Sequence, residues 1–179
     1  NIFAVDPQAV AQRFVGLPAI QHAEVSLALP DRLVVRVVER QPALVWQVGA
    51  DRFLLDAGGM VLAQNPPANI APDLPGVTVH DLAAPVVGDR VDQGPVDASL
   101  AVARRADQFG LHVTALDYTP ATGLTLGLAG APPVVIGSAA RLDDKLAAVV
   151  VVLHDDPEHG RGWKVLNVTD PDRPFYTTR

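Results

Sequence analysis

The chain reads as an α+β protein whose sheet is largely antiparallel, and three observations predict this. Residues 20–38 alternate apolar and polar positions with a period of two. Two later segments, 95–109 and 139–153, repeat apolar residues at helical spacing. The 16 prolines among 179 residues are nearly double the usual ~5% and cut the remainder into short elements. Hydrophobic residues make up 49% and mean hydropathy is +0.21, which excludes a disordered chain. The length suits one large domain or two small ones, each able to bury a core.

The elements follow in order. Asp6-Pro7 ahead of Val10, Phe14 and Leu17 predicts a short helix: Asp6 accepts from first-turn amides, Pro7 needs no partner there, and Gly16 stops it. Ile20–Leu29 and Leu33–Val38 alternate around Pro30-Asp31, which predicts an antiparallel hairpin. Ala43–Val48, Arg52–Leu55 and Met60–Ala63 extend a meander, with turns at Gly49-Ala50-Asp51 and Asp56-Ala57-Gly58-Gly59. Gln64–Pro75, with Pro66, Pro67, Pro72 and Pro75, reads as a loop or a link between two parts. Pro95–Phe109 predicts a helix stopped by Gly110, and Ala139–Leu153 a second one with Leu142, Leu146, Val149 and Leu153 on one face. Strands are expected at His112–Tyr118, Gly123–Ala129, Pro133–Ile136 and Trp163–Val168, with a tail at Thr169–Arg179.

The chemical inventory excludes several classes. No cysteine is present, so disulfide frameworks and thiolate sites are ruled out. A net charge of −6 and a pI near 5.2 argue against a nucleic-acid surface. The longest apolar run, Leu146–Leu153, has eight residues against the roughly 18 a membrane span needs. The three serines, Ser26, Ser99 and Ser138, lie in no nucleophile elbow, and no P-loop, HExxH or GxGxxG pattern occurs. His154-Asp155-Asp156-Pro157-Glu158-His159 has donors for a divalent ion, which makes a metal-dependent hydrolase one alternative. A Pro- and Gly-rich stretch preorganises ligands poorly, so a solvated loop is the preferred reading and no metal ligand is assigned. Asp170-Pro171-Asp172 reads as a turn, Asp143-Asp144 as helix-start decoration, and Asn167-Val168-Thr169 as a chance sequon. No catalytic residue and no cofactor emerge, so function is expected in surfaces and sheet edges.

The order of short motifs carries a resemblance. Asn1-Ile2-Phe3-Ala4-Val5-Asp6, a helix, Leu17-Pro18-Ala19-Ile20-Gln21-His22-Ala23-Glu24-Val25, Leu29-Pro30-Asp31-Arg32-Leu33 and Glu39-Arg40-Gln41-Pro42 together resemble the FtsQ/DivIB cell-division family. In that family a POTRA domain leads into a larger β domain. Leu55-Asp56-Ala57-Gly58-Gly59 is similar to the V-D-x-x-G that follows, and Val135-Ile136-Gly137 with Lys145-Leu146 is similar to the approach to the last helix. The resemblance implies a partial POTRA unit over residues 1–42, its first strand and helix preceding Asn1. It further implies a β domain over 43–168, with antiparallel sheet and two helices, and a tail over 169–179.

It also implies a non-enzymatic scaffold of the bacterial divisome. Such a protein is single-pass, held by an upstream transmembrane helix, with this region extracytoplasmic at the septum. The implied partners are FtsB- and FtsL-type division proteins, with FtsK and other divisome members near the POTRA part. In the family FtsB adds a strand to the sheet edge near the C-terminus. Mapped here, that edge is Trp163–Val168, with Arg173 for a partner carboxylate and Phe175 and Tyr176 as anchors. A POTRA-containing secretion or outer-membrane assembly module is the other alternative.

Overall fold

The computed structural model describes residues 6–28, 31–67, 69–70, 72–156 and 162–178. Asn1–Val5 of the matched pattern and Leu29-Pro30 of the expected hairpin turn lie outside them. Helix α1 (Pro7–Val15) is capped by Asp6, whose carboxylate accepts from Gln8 N at 2.9 Å. Strands β1 (Ile20–Ala28) and β2 (Arg32–Glu39) form the antiparallel hairpin, with Val25 opposite Val35 and Leu27 opposite Leu33. They make a two-stranded sheet of their own.

The rest of the chain builds one nine-stranded sheet from β3 (Pro42–Val48), β4 (Asp51–Asp56), β5 (Val61–Gln64), β6 (Gly76–Val79), β7 (Val113–Thr119), β8 (Gly123–Leu128), β9 (Val134–Gly137), β10 (Trp163–Asn167) and β11 (Phe175–Thr178). Their spatial order is β11-β10-β9-β8-β7-β6-β3-β4-β5. The sheet is mostly antiparallel, as expected, and three of its pairings, β3/β6, β6/β7 and β9/β10, are parallel. Parallel neighbours need a crossover, and α3 (Leu142–Asp155) supplies one between β9 and β10, while α2 (Gln93–Arg105) lies between β6 and β7. The proline-rich stretch after β5 does not divide two parts. It delivers β6 into the middle of the sheet, between β3 and β7.

Helices α2 and α3 pack on the apolar face, where every second residue of β8 (Leu124, Leu126, Leu128) is buried. Leu44, Trp46, Phe53, Leu55, Val96, Ile136, Leu146 and Leu166 fill the space between the layers. A 3-10 turn at Ala106–Phe109 continues α2 until Gly110, whose φ of 70° stops it. Gly123 (φ 74°) opens β8 where a Cβ would stand 2.6 Å from the Gly137 backbone, so only glycine fits this turn. Lys145 on α3 is buried and donates to Ile136 O at 2.9 Å and Ser138 O at 3.0 Å. Desolvation, then the nearby Arg141 charge, lowers its pKa below the ordinary lysine range.

Arg40 joins the hairpin to the large sheet. Its amide donates to Ala19 O at 2.7 Å and its guanidinium to Asp56 at 2.8 Å. Asp56 in turn accepts from the amides of Gly58 and Met60.

Candidate functional site

Both ends of the nine-stranded sheet could offer unpaired backbone groups, and the two are finished differently. At the β5 end, residues 88–91 meet the start of the strand: Val61 N donates to Asp89 O, Gly88 N to Val61 O, and Met60 bridges Arg90. Arg90 also reaches Gly58 O at 2.8 Å. The start of this edge is covered at Met60 and Val61.

The other end departs from the expected layout. Strand β10 is enclosed on both sides, parallel to β9 (Leu166 opposite Val134) and antiparallel to β11 (Leu166 opposite Tyr176, Asn167 opposite Phe175). Trp163–Val168 is therefore not the outermost strand. Part of the expected tail folds back as β11, and no described strand pairs with its outer side. A four-residue strand with no buried position leaves no alternation to read, although Phe, Tyr and Thr suit a pleated surface.

The predicted site residues fall into two groups. Phe175 and Tyr176 sit on β11 with 54% and 52% of their surface exposed. Successive side chains point to opposite faces, and Tyr176 stacks on Trp163 with ring centroids 4.1 Å apart and planes 6° from parallel. Arg173 is exposed in the connection before β11 and has no ion pair among the described residues. Trp163, Phe175 and Tyr176 thus lie on the last two strands of this end of the sheet, with Arg173 in the connection between them. Val168 does not join them: it is fully buried, and its amide donates to Val135 O at 2.9 Å. It supports the edge from within the core and presents no side chain to a partner.

Local turns shape the connection from β10 to β11. Asn167 Oδ1 accepts from Thr169 N and Oγ1, and Asp170 Oδ1 accepts from Asp172 N, so the Asp170–Asp172 stretch is a turn. Sequence reasoning missed what fastens it. Arg141 donates through both terminal nitrogens to Asp172 at 2.6 and 3.0 Å, and through Nε to Asp144 at 2.9 Å. The Asp172 carboxyl is held below the usual carboxylate range by those hydrogen bonds. Asp143, beside it in the first turn of α3, pairs with Arg105.

No trio of metal-ligating side chains occurs among the described residues. His154, Asp155 and Asp156 end α3, whereas Glu158 and His159 lie outside the described residues. No helix among the described residues is long and apolar enough to cross a membrane.

Residues 1–40 match the model of the FtsQ-type POTRA domain. The whole chain is similar to proteins named cell division protein FtsQ. That of Chloroflexus aurantiacus is 32% identical over 186 residues, covering 99% of this chain and 64% of the relative. That of Chloroflexus aggregans is 28% identical over 181 residues, with the same coverage. That of Mycobacteroides abscessus is 24% identical over 97% of this chain and 51% of the relative. The chain thus spans 64% or less of the length of these three curated relatives.

Proposed function

From the premise that this chain belongs to the FtsQ/DivIB family of bacterial cell-division proteins, we propose that it is the extracytoplasmic part of a non-enzymatic divisome scaffold. In this reading an upstream transmembrane helix holds it at the septal membrane. Its C-terminal sheet edge receives a strand from an FtsB-type partner, itself associated with an FtsL-type protein. The hairpin unit faces FtsK and other divisome members.

One observation carries the reading: residues 88–91 bond the start of the β5 edge, whereas no described strand pairs with the outer side of β11, which lies beside exposed aromatic side chains. An uncovered edge presents a row of N–H and C=O groups that an added extended chain can pair. Phe175 and Tyr176 add apolar area to such a ladder, and Arg173 adds an exposed cation for a carboxylate.

Calorimetry with a soluble fragment of FtsB from the same organism tests it. Binding to the full chain is expected, with loss on removal of Pro174–Arg179 and a weakening of ~2 kcal/mol or more for Tyr176→Ala. Unchanged affinity after the truncation would place the partner elsewhere.

A further inference from the structure

Strand β11 is held to the molecule by unusually little. All four of its side chains are exposed and none belongs to the core. Its ladder to β10 is short, with a register irregularity between Trp163 and Val165. A strand of this kind has little burial to keep it in place, and short two-stranded pairings are marginal in water.

What remains is the Trp163–Tyr176 stack and the fastening of the connection before the strand. Among the described residues, the ion pair in that fastening comes from one side chain, Arg141, beside the local turn bonds. Arg141 sits at the start of α3 with φ 52°, in the left-handed region that a non-glycine residue adopts at a cost. Its carbonyl accepts from Lys145 N at 3.0 Å, and its Nε is held by Asp144. The planar guanidinium is thereby aimed at Asp172, where it makes a two-pronged contact that an ammonium cannot reproduce.

We propose that Arg141 is a positioning residue that staples β11 onto β10, so that the sheet has two alternative outer edges: β11 with the staple closed, and Trp163–Asn167 with it open. This rests on the reading of the C-terminal edge as the partner site. It adds that the edge is adjustable, and that a group about thirty residues upstream sets its state. A solvent-exposed ion pair changes global stability little. Here it fastens an element without a core, so its effect is local and concentrated in four residues.

Hydrogen exchange on the full chain tests the staple without any partner. Asp172→Asn removes one end and leaves α3 untouched. Arg141→Gly removes the other while suiting the positive φ, which Arg141→Ala would not. Each should speed exchange of the Phe175–Thr178 amides and their β10 partners roughly three- to tenfold. Amides of α2, β7 and β8 should keep their rates. Arg141→Lys should fall between, and Asp144→Asn, which spares the Asp172 contact, should do least. The Trp163 near-ultraviolet signal should weaken in step as the stack with Tyr176 opens.

Unchanged exchange at Phe175–Thr178 in both Asp172→Asn and Arg141→Gly overturns the proposal. A uniform rise across the chain overturns it too, since that marks global destabilisation. Titration of the same variants with the FtsB fragment separates the two readings. Faster local exchange with altered affinity supports both. Faster local exchange with wild-type affinity keeps the staple and removes this edge from the function.

Discussion

The N-terminal hairpin and the nine-stranded sheet begin from the same sequence signal and finish in opposite states. Residues 20–38 carry a period-two apolar pattern, yet among the described residues there only Ile20 and Ala23 are buried, α1 buries nothing, and β2 is exposed along nearly all its length. Strands β3, β4 and β8 carry apolar patterns of their own, strictly alternating in β8, and supply Leu44, Trp46, Phe53, Leu55, Leu124 and Leu126 to a closed core. Alternation states which face of a strand is apolar. It does not state what lies over that face, and burial comes from the covering layer.

The sharpest break in this comparison is a pair of truncations. Phe53→Ala should cost ~3–5 kcal/mol, because the large sheet cannot collapse around the void. Val37→Ala on β2 should cost under ~1 kcal/mol. Urea unfolding of both measures it, and equal losses would mean that the hairpin is covered as thoroughly as the core. Next in size, Gly123→Ala should destabilise by ~2–4 kcal/mol, since it combines positive φ with a backbone collision. Gly130→Ala shares a φ of 74° but has open space, so it isolates the conformational part at ~1 kcal/mol.

Arg40→Ala tests the joint between the two regions. It should cost about 1–3 kcal/mol and leave the large sheet intact, because Asp56 keeps its two amide donors. Spin labels at Gln8→Cys and Thr114→Cys, in a chain otherwise free of cysteine, should show a broadened distance distribution in that variant. An unchanged distribution would assign the orientation to other contacts, such as Pro18 against Gly88.

The smallest effect is a pH slope. The Lys145 pKa is lowered on folding, so between its folded value and the ordinary lysine range the unfolded chain binds more protons. Stability should therefore rise with pH across that window. Lys145→Met should remove the contribution while leaving Ile136 O and Ser138 O without their donor. The same slope in both proteins would show that another group titrates.

Much of the architecture was legible locally. The Asp6-Pro7 start of α1, the β1/β2 alternation and the Gly110 stop each rest on residues within one element. What stayed hidden is non-local. β6 is four residues emerging from a proline-rich stretch, and its parallel neighbours come from distant parts of the chain. Helix α3 begins at Leu142 and not at Ala139, because Arg141 turns left-handed to meet Asp144 and Asp172. Trp163, Phe175, Tyr176 and Arg173 were legible as aromatic and basic residues near the C-terminus. That β11 lies outside Trp163–Asn167, and that Val168 faces inward, depends on a pairing no short window displays.

The insertion of β6 between β3 and β7 also bears on how this protein can be divided. A cut between Asp73 and Leu74 falls in a connection, yet the strand that follows it stays locked beside β3, with Val45 N bonded to Pro75 O and the register running from Val45–Gly76 to Val48–Val79. Two polypeptides meeting at that cut would each hold part of one sheet and neither would hold a finished one. Expressed separately and mixed, they should complement each other in trans, so the place that looks most like a seam in the sequence joins halves that need each other to fold.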